Sequence, residues 1–173
     1  MRQVQVHPPN PQWPQAFEAE AVQVLLALGN NVVYIHHIGS TAIPNIYAKP
    51  VIDLLAEVSD IDHVDTRNVA MAALGYTALG EYGLPGRRYF RKHDEAGVRT
   101  HHLHTFQRGS TEAQRHLAFR DFMRANPDCA QQYSDLKRTL AAQYPNDIDS
   151  YMDGKDEFVK AVEKQAMEER GLN

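Results

Sequence analysis

The chain has 173 residues, of which 43% are hydrophobic and 23% charged, and its formal net charge is −4. This balance is typical of one globular domain and excludes intrinsic disorder, while the acidic charge argues against nucleic acid or an acidic membrane as a partner. The single cysteine, Cys129, excludes an intrachain disulfide framework and any multi-cysteine metal site. No apolar run approaches the ~20 residues of a membrane span, and the polar first ten residues lack an export signal, so we expect a cytoplasmic protein.

The first half of the chain predicts a helix, two strands and a second helix. Apolar residues recur at three- and four-residue steps over 12–28, as in an amphipathic helix. A β-branched run, NVVYIHHIG, then predicts a strand that ends at Gly39. The following strand, KPVIDLLAEV, is nearly all apolar, which predicts burial on both faces. Residues 61–74 fit a further helix, closed by Gly75.

The second half predicts a β-hairpin followed by helices. RRYFRK and VRTHHLHTF both alternate in polarity, and a short loop joins them. On the second strand, His102 and His104 share one face. Three helices follow, which end at Asn126, Tyr144 and about Arg170. These elements predict an α+β fold in one domain over 1–173, with a mixed sheet core over about 1–107 and a helical part over about 108–173.

The segment HHIGSTAIPN carries the strongest local signal for chemistry. Gly39 at the end of the strand permits close approach to the backbone, and Ser40 offers a hydroxyl and an N–H that suit a phosphate oxygen. A helix N-cap also accounts for Ser40. Thirteen residues later, Asp53 lies within an apolar strand, where a carboxylate is costly unless it is paired, hydrogen-bonded or bound to a metal. Backbone N–H groups or an arginine would satisfy it without a ligand.

Residues 87–108 form a basic patch in an otherwise acidic chain. They hold six Arg or Lys and two acids, a net charge of +4, which suggests a local anionic ligand. Arg88 and Lys92 share a strand face and are candidates to bind phosphate or stabilise transition-state charge. A row of solvated charges along an edge strand is the alternative. His37 and Lys49 could reach the same phosphate, although Lys49 also fits a surface lysine.

Six blocks of the chain resemble the GrpB family in the same order. They are HIGSTAIPN, AKPVIDLLAEV, RRYFRK, HHLHTF, HLAFRDFMRANP and YMDGKDEFV, and the resemblance extends over about residues 4–163. It implies the nucleotidyltransferase fold of DNA polymerase β, a mixed β-sheet flanked by helices. GrpB-like domains also occur fused to dephospho-coenzyme A kinase. The resemblance therefore implies a fold more directly than an activity.

Only half of the polymerase-like pattern is present in this chain. In that superfamily a Gly-Ser turn holds the triphosphate, and two acids one residue apart hold Mg²⁺ ions that bridge the attacking and leaving oxygens. By the resemblance, Gly39 and Ser40 match the turn and Asp53 matches the first acid. The second acid would fall at Leu55 and is missing. Glu57 lies ~13 Å from Asp53 along the strand. Because the two metal ions of such a site are only ~3.5–4 Å apart, Glu57 is too distant to replace the missing ligand. Whether the chain is an enzyme therefore stays open.

A histidine pair is the candidate to complete a metal site. His102 and His104 lie ~6.6 Å apart along the strand, close enough to converge on one ion. With Asp53 they would form a set that prefers Zn²⁺, Fe²⁺ or Mn²⁺ over Mg²⁺. The alternative is that both histidines hydrogen-bond on the sheet face or bind phosphate. In the helical part, the resemblance suggests that Arg120 contacts the base or the acceptor, and further residues stand in family-like blocks: Lys137, Tyr151 and Lys155.

The leading hypothesis is a small nucleotidyltransferase-like protein that binds a nucleotide or other phosphorylated small molecule. A divalent ion (Mg²⁺, Mn²⁺ or Zn²⁺) and transfer of a nucleotidyl or phosphoryl group would accompany binding. Ser40 would hold phosphate, Asp53 would bind metal or act as base, and Arg88 would stabilise charge. The second hypothesis is a non-catalytic nucleotide-binding or accessory domain linked to coenzyme A metabolism, and the third is a His/Asp metal-dependent hydrolase.

Overall fold

The structure, a computed structural model, describes residues 3–172, so residues 1–2 and 173 of the predicted domain lie outside the described range. The helices are α1 (Trp13–Leu28), α2 (Asn68–Ala73), α3 (Thr111–Ala125), α4 (Pro127–Gln143) and α5 (Ile148–Glu169). The strands are β1 (Val32–Ile38), β2 (Ile52–Val58), β3 (Tyr76–Ala78), β4 (Arg87–His93) and β5 (Arg99–Gln107). None of the helices described over residues 3–172 has both the length and the apolar character needed to cross a bilayer.

The helix predicted over 61–74 is less regular than its periodicity suggests. A 3₁₀-helix, Asp62–Arg67, precedes the short α2. Ile61 and Val64 are three residues apart and both contribute to the core, and this spacing matches the three residues per turn of a 3₁₀-helix. The segment therefore begins with a tighter turn and becomes α-helical only from Asn68.

The five strands form one mixed sheet in the order β1-β2-β5-β4-β3. β2 and β5 run parallel, while the other neighbouring pairs are antiparallel. The predicted hairpin is confirmed, because β4 pairs with β5 along its whole length. β2 lies between β1 and β5, and Leu54, Leu55 and Ala56 at its centre are fully buried, as its continuous apolar run predicts.

Helices cover both faces of the sheet, and the register decides which residues each face presents. The α1 face is the side on which Leu54 and Leu103 pack against α1. The α3 face is the opposite side, where Leu55 and Phe106 pack against Leu117 of α3. Helices α4 and α5 pack beyond α3 and bury a second apolar cluster with it. The fold is therefore α+β with a mixed sheet flanked by helices, as the sequence predicts.

Candidate functional site

A cavity of about 200 Å³ opens on the α3 face, between the start of β2 and the helices α4 and α5. Ser40, Asp53 and His102, which the sequence analysis expects around one pocket, all line it. The full lining is Ser40, Thr41, Lys49, Val51, Asp53, His102, Lys137, Tyr151, Met152 and Lys155. The cavity thus joins a turn, a carboxylate, an imidazole and three lysines, and we refer to it as the lysine cavity.

Gly39 sets the distance between the turn and the carboxylate. Its backbone has φ +71° and ψ −172°, a region that residues with a Cβ rarely adopt. A Cβ on Gly39 would lie 2.5 Å from Oδ2 of Asp53. The following residue, Ser40, begins a short 3₁₀-turn (Ser40–Ala42) and does not cap an α-helix. The sequence therefore needs glycine here so that the turn can lie against Asp53.

Asp53 and His102 form a hydrogen-bonded dyad across the parallel pair of strands. They are direct partners in the β2–β5 register, and Nδ1 of His102 lies 3.2 Å from Oδ1 of Asp53. Burial raises the pKa of the Asp53 carboxyl, but the hydrogen bond from His102 and the neighbouring histidines outweigh it, so the net shift is downward. Nε2 of His102 is buried and has no hydrogen-bond partner among the described residues. The dyad therefore presents an ionised carboxylate and an imidazole nitrogen with no protein partner.

Three lysines and Tyr151 line the lysine cavity together with the Ser40 turn and the dyad. Nζ of Lys49 lies 4.9 Å and Nζ of Lys155 lies 5.3 Å from the centroid of the Tyr151 ring. Nζ of Lys137 lies 4.4 Å from the centroid of the Tyr133 ring. Aromatic faces attract cations, so the rings hold the ammonium groups in place without neutralising them. The Tyr151 hydroxyl is buried with no hydrogen-bond partner among the described residues.

Lys137 is the most deeply buried of these cations. Its side chain is 2% exposed, and Nζ has no hydrogen-bond partner within residues 3–172. Burial, together with the nearby Lys155 and Lys49, lowers the pKa of Lys137 to about 7, and Asp53 opposes this shift. A lysine with this pKa is part neutral and part charged at physiological pH. Its charge therefore responds to any anion that enters the cavity.

Lys137, Tyr151 and Lys155 also line the lysine cavity, although the sequence predicts no site role for them beyond their place in family-like blocks. A usable signal exists in α4, where Lys137 stands on the same helical stripe as the buried Ala130, Tyr133 and Leu140. In α5, Tyr151 and Lys155 are four residues apart and share a face. A lysine inside an apolar stripe is rarely fully buried without a function or a partner. That pattern would have pointed to a pocket between the two helices.

Two of the predicted phosphate ligands, Arg88 and Lys92, lie on the α1 face of the sheet, opposite the lysine cavity. Arg88 donates to Asp65 at 2.8 Å and to Asp62 at 3.1 Å. Lys92 donates to Glu20 of α1 at 2.9 Å. Alternation along β4 correctly predicted that both share a face, but the register shows that this is the α1 face. Arg88, which was expected to line the pocket, and the phosphate candidate Lys92 therefore do not line the lysine cavity, because carboxylates on the α1 side of the sheet bind them.

His37 and Arg120 also lie apart from the lysine cavity. His37 stacks on Phe17 of α1, with ring centroids 4.7 Å apart, and hydrogen-bonds Thr41 at 2.8 Å. Burial lowers its pKa to about 4, so it is neutral at pH 7. Arg120 donates to the His37 carbonyl at 3.2 Å and to Asp121. Both residues therefore contact the turn and the strand before it, and neither lines the lysine cavity. Lys49, in contrast, lines it as expected.

The residues present do not fit a two-metal centre. Leu55 stands where the second acid would be, and Glu57 hydrogen-bonds His36 at 2.7 Å. His104 shares the α3 face with Asp53, yet its Nδ1 lies 3.5 Å from the Arg87 guanidinium, a cation that disfavours a metal ion. Among residues 3–172, no group of three His, Cys, Asp or Glu is placed to hold a metal. The set of Asp53, His102 and His104 as ligands to one Mg²⁺, Mn²⁺ or Zn²⁺ ion stays a prediction.

His104 instead belongs to a buried cluster of rings. Its ring centroid lies 5.1 Å from that of His116 on α3 and 5.2 Å from that of Tyr89. Burial lowers the pKa of His104 to about 3 and that of His116 to about 4. Both imidazoles are therefore neutral at pH 7. They form an uncharged wall beside the dyad.

Comparison with known proteins connects this arrangement to a family. The family described as GrpB protein matches residues 3–165. UPF0157 protein YqkA of Bacillus subtilis is 46% identical over 165 residues, which cover 95% of this chain and 48% of that protein. The chain therefore spans about half the length of this relative. A dephospho-CoA kinase of Mycolicibacterium paratuberculosis is 26% identical over 94% of this chain and 46% of its own length.

Solved structures agree with this relationship. The crystal structure of conserved protein GrpB from Enterococcus faecalis is 43% identical, covers 96% of this chain and 99% of its own, and has a TM-score of 0.91. Terminal uridylyl transferase 4 from Trypanosoma brucei with bound dUTP has a TM-score of 0.56 at 11% identity, over 96% of this chain and 56% of its own. The second similarity shows that the fold is nucleotidyltransferase-like. The chain belongs to the GrpB family.

Proposed function

We propose that this protein binds a nucleotide or another phosphorylated small molecule in the lysine cavity and transfers its nucleotidyl or phosphoryl group. One observation carries the proposal. The Ser40 turn, the Asp53–His102 dyad and three lysines line the same small cavity. Hydroxyl and ammonium donors are the groups that bind phosphate oxygens, and a carboxylate–imidazole dyad moves protons. The uridylyl transferase of similar fold is described with bound dUTP, which supports a nucleotide as the ligand.

The dyad supplies a chemical role that does not depend on a second acid. Asp53 accepts a hydrogen bond from Nδ1 of His102, which leaves Nε2 free to accept a proton. In the proposed step, an acceptor hydroxyl attacks the phosphorus atom, and its proton passes to Nε2 of His102. The bond from phosphorus to the leaving phosphate breaks, and that phosphate takes the electron pair. The Asp53 carboxylate stabilises the imidazolium that forms.

Nucleotide titrations and turnover assays on an Asp53→Asn variant test this function. The amide keeps the shape of the side chain but removes the charge that stabilises the imidazolium. We expect nucleoside triphosphate binding to persist and turnover to fall by ~10²–10⁴-fold. Asp135→Asn, on the exposed surface of α4, is the matched control and should behave as the natural chain. Unchanged turnover in Asp53→Asn would contradict the role of the dyad.

A specific observation also supports a second candidate, a binding or accessory domain without turnover. Leu55 is fully buried and packs against Ile38 and Phe106, so the place of the second acid is apolar. The similarity to part of a dephospho-CoA kinase suggests nucleotides and coenzyme A precursors as ligands. A ligand that raises the melting temperature without product formation, with any acceptor or divalent ion, would favour this candidate over transfer.

A further inference from the structure

The lysines of the lysine cavity come from three separate parts of the chain. Lys49 precedes β2, Lys137 stands in the middle of α4, and Lys155 stands in the second turn of α5. Their convergence requires α4 and α5 to pack closely, and Gly154 permits this, because a Cβ there would overlap the Leu140 side chain. Like charges repel, so this arrangement costs folding free energy in the absence of an anion.

The buried ammonium of Lys137 indicates where an anionic ligand would bind in the lysine cavity. A buried cation without a hydrogen-bond partner is strongly unfavourable in a folded protein. Elsewhere in residues 3–172, the half-buried Lys92 lies against a carboxylate of Glu20. Among the described residues that line the lysine cavity, Asp53 is the one carboxylate, and it already accepts a hydrogen bond from His102. Lysines therefore outnumber carboxylates in this lining, and Nζ of Lys137, the most deeply buried ammonium, has no hydrogen-bond partner among residues 3–172.

Three cations from separate parts of the chain suit an anion that carries more than one charge. Lys49 and Lys155 lie against the Tyr151 ring, whereas Lys137 lies against the Tyr133 ring. The Tyr151 hydroxyl adds a buried donor without a partner in the described residues. One phosphate group offers a compact set of oxygens, whereas a chain of two or three phosphates extends further and can contact all three lysines. Charge-assisted hydrogen bonds of this kind are the strong ones.

We propose that Lys49, Lys137 and Lys155 bind the phosphate chain of a ligand with at least two linked phosphates. This inference rests on the proposed function, because it names the substrate class of the same cavity. The substrate is then a nucleoside di- or triphosphate or a comparable diphosphate ester, and not a simple monophosphate. Lys137 is the residue that distinguishes the two classes, since it lies deepest and its Nζ has no hydrogen-bond partner among residues 3–172.

Protonation of Lys137 accompanies binding. Its pKa of about 7 leaves a fraction of the side chain neutral slightly above pH 7, and a bound polyanion raises that pKa. Binding therefore takes up a proton from the solvent. The charged and titratable groups around Lys137 are Tyr133 of α4, Tyr151 and Lys155 of α5, Lys49 before β2, Asp53 of β2 and His102 of β5.

Calorimetric titration of the full chain with orthophosphate, pyrophosphate and tripolyphosphate tests this proposal. We expect tripolyphosphate to bind about 10-fold or more tightly than orthophosphate. Titrations slightly above pH 7, in two buffers of different ionisation heat, should show proton uptake. Lys137→Met should weaken tripolyphosphate binding by about 10-fold or more and abolish the proton uptake. Lys155→Met is a second variant that should also weaken binding.

The control is Lys164→Met, which removes an exposed charge from the far end of α5 and should leave both readouts unchanged. Equal affinity for orthophosphate and tripolyphosphate would overturn the inference. So would Lys137→Met and Lys155→Met variants that bind as the natural chain does.

The test also separates this inference from the proposed function. If nucleoside triphosphates bind but tripolyphosphate does not compete and Lys137→Met has no effect, the inference fails and the proposed function survives. If tripolyphosphate binds through Lys137 while no nucleotide binds more tightly than it does, the inference survives and nucleotide recognition fails.

Discussion

Ion pairs on the α1 face of the sheet contrast with the lysine cavity on the α3 face. On the α1 face, Lys92 binds Glu20, and Arg88 binds Asp62 and Asp65. On the α3 face, Lys137 is buried without a hydrogen-bond partner in the described residues, and Nε2 of His102 is unpartnered there too. Buried polar groups are normally satisfied. The ion pairs of Lys92 and Arg88 therefore contribute stability, whereas the lysine cavity keeps donors and acceptors available for a ligand.

Gly39→Ala should give the largest effect, because it closes the approach between the turn and Asp53. The new Cβ meets a carboxylate oxygen and must adopt an unfavourable φ. We expect the free energy of unfolding to fall by about 3 kcal/mol and ligand binding to be lost. Urea unfolding and calorimetry measure the two effects. Gly97→Ala, at φ +78° with open space around it, is the control and should cost only about 1 kcal/mol.

Glu20→Gln should break the charge balance of the α1 face. The Glu20 carboxylate accepts from Lys92 at 2.9 Å and from the Tyr76 hydroxyl at 2.8 Å. Removing its charge leaves Lys92 without a counter-ion in a half-buried place, which should cost about 2 kcal/mol of stability. Nucleotide affinity should stay as it is. A loss of affinity with no loss of stability would contradict the division between the two faces.

Lys137→Met should raise the free energy of unfolding of the chain without ligand, whereas the two preceding substitutions lower it. The pKa of Lys137 is about 7 in the folded chain and has its ordinary value of 10.5 in the unfolded chain. Between pH 7 and pH 10.5, Lys137 is therefore protonated in the unfolded state and largely neutral in the folded state. Stability of the natural chain therefore rises with pH across that window. Chemical denaturation should show the variant more stable by about 1 kcal/mol near pH 6, and the advantage should vanish above about pH 10.5. A variant less stable at pH 6 would mean that the ammonium has a structural partner.

Arg88→Gln should have the smallest effect. Its partners Asp62 and Asp65 are exposed, with 86% and 53% of their side chains accessible. Ion pairs with exposed partners contribute little to the free energy of unfolding, so we expect a loss of about 0.5 kcal/mol. Turnover and ligand affinity should not change, because Arg88 lies across the sheet from the cavity. A large loss of turnover in this variant would show that the guanidinium reaches the substrate after all.

The turn and the strands could be predicted from the sequence because their signals are local. The apolar run around Asp53 predicts a buried strand, and the end of the preceding strand at Gly39 follows from the residue pattern. The hairpin that carries His102 is equally local. Alternation also grouped Arg88 with Lys92 correctly, but periodicity within one strand does not say which face lies toward the site. That depends on the parallel register of β2 and β5, a contact between distant parts of the chain.

The lysine cavity could not be derived in the same way. Lys49, Lys137 and Lys155 meet only because α4 and α5 fold back over the start of β2. The stripe around Lys137 indicates a buried lysine, but it does not show that this helix lies over β2. His37 lies apart from the lysine cavity for a similar reason, because its ring stacks on Phe17 of α1, a contact that the local pattern around His37 does not predict. The place of a site residue could be predicted where it depends on one strand or turn. It could not be predicted where it depends on how helices pack against the sheet.

A crystal structure with a non-hydrolysable nucleoside triphosphate tests the central claim most directly. The account predicts that the phosphate chain lies in the lysine cavity, with a phosphate oxygen within ~3 Å of Nζ of Lys137 and the Ser40 turn against the same chain. A nucleotide bound elsewhere, with Nζ of Lys137 still unpartnered, would contradict it.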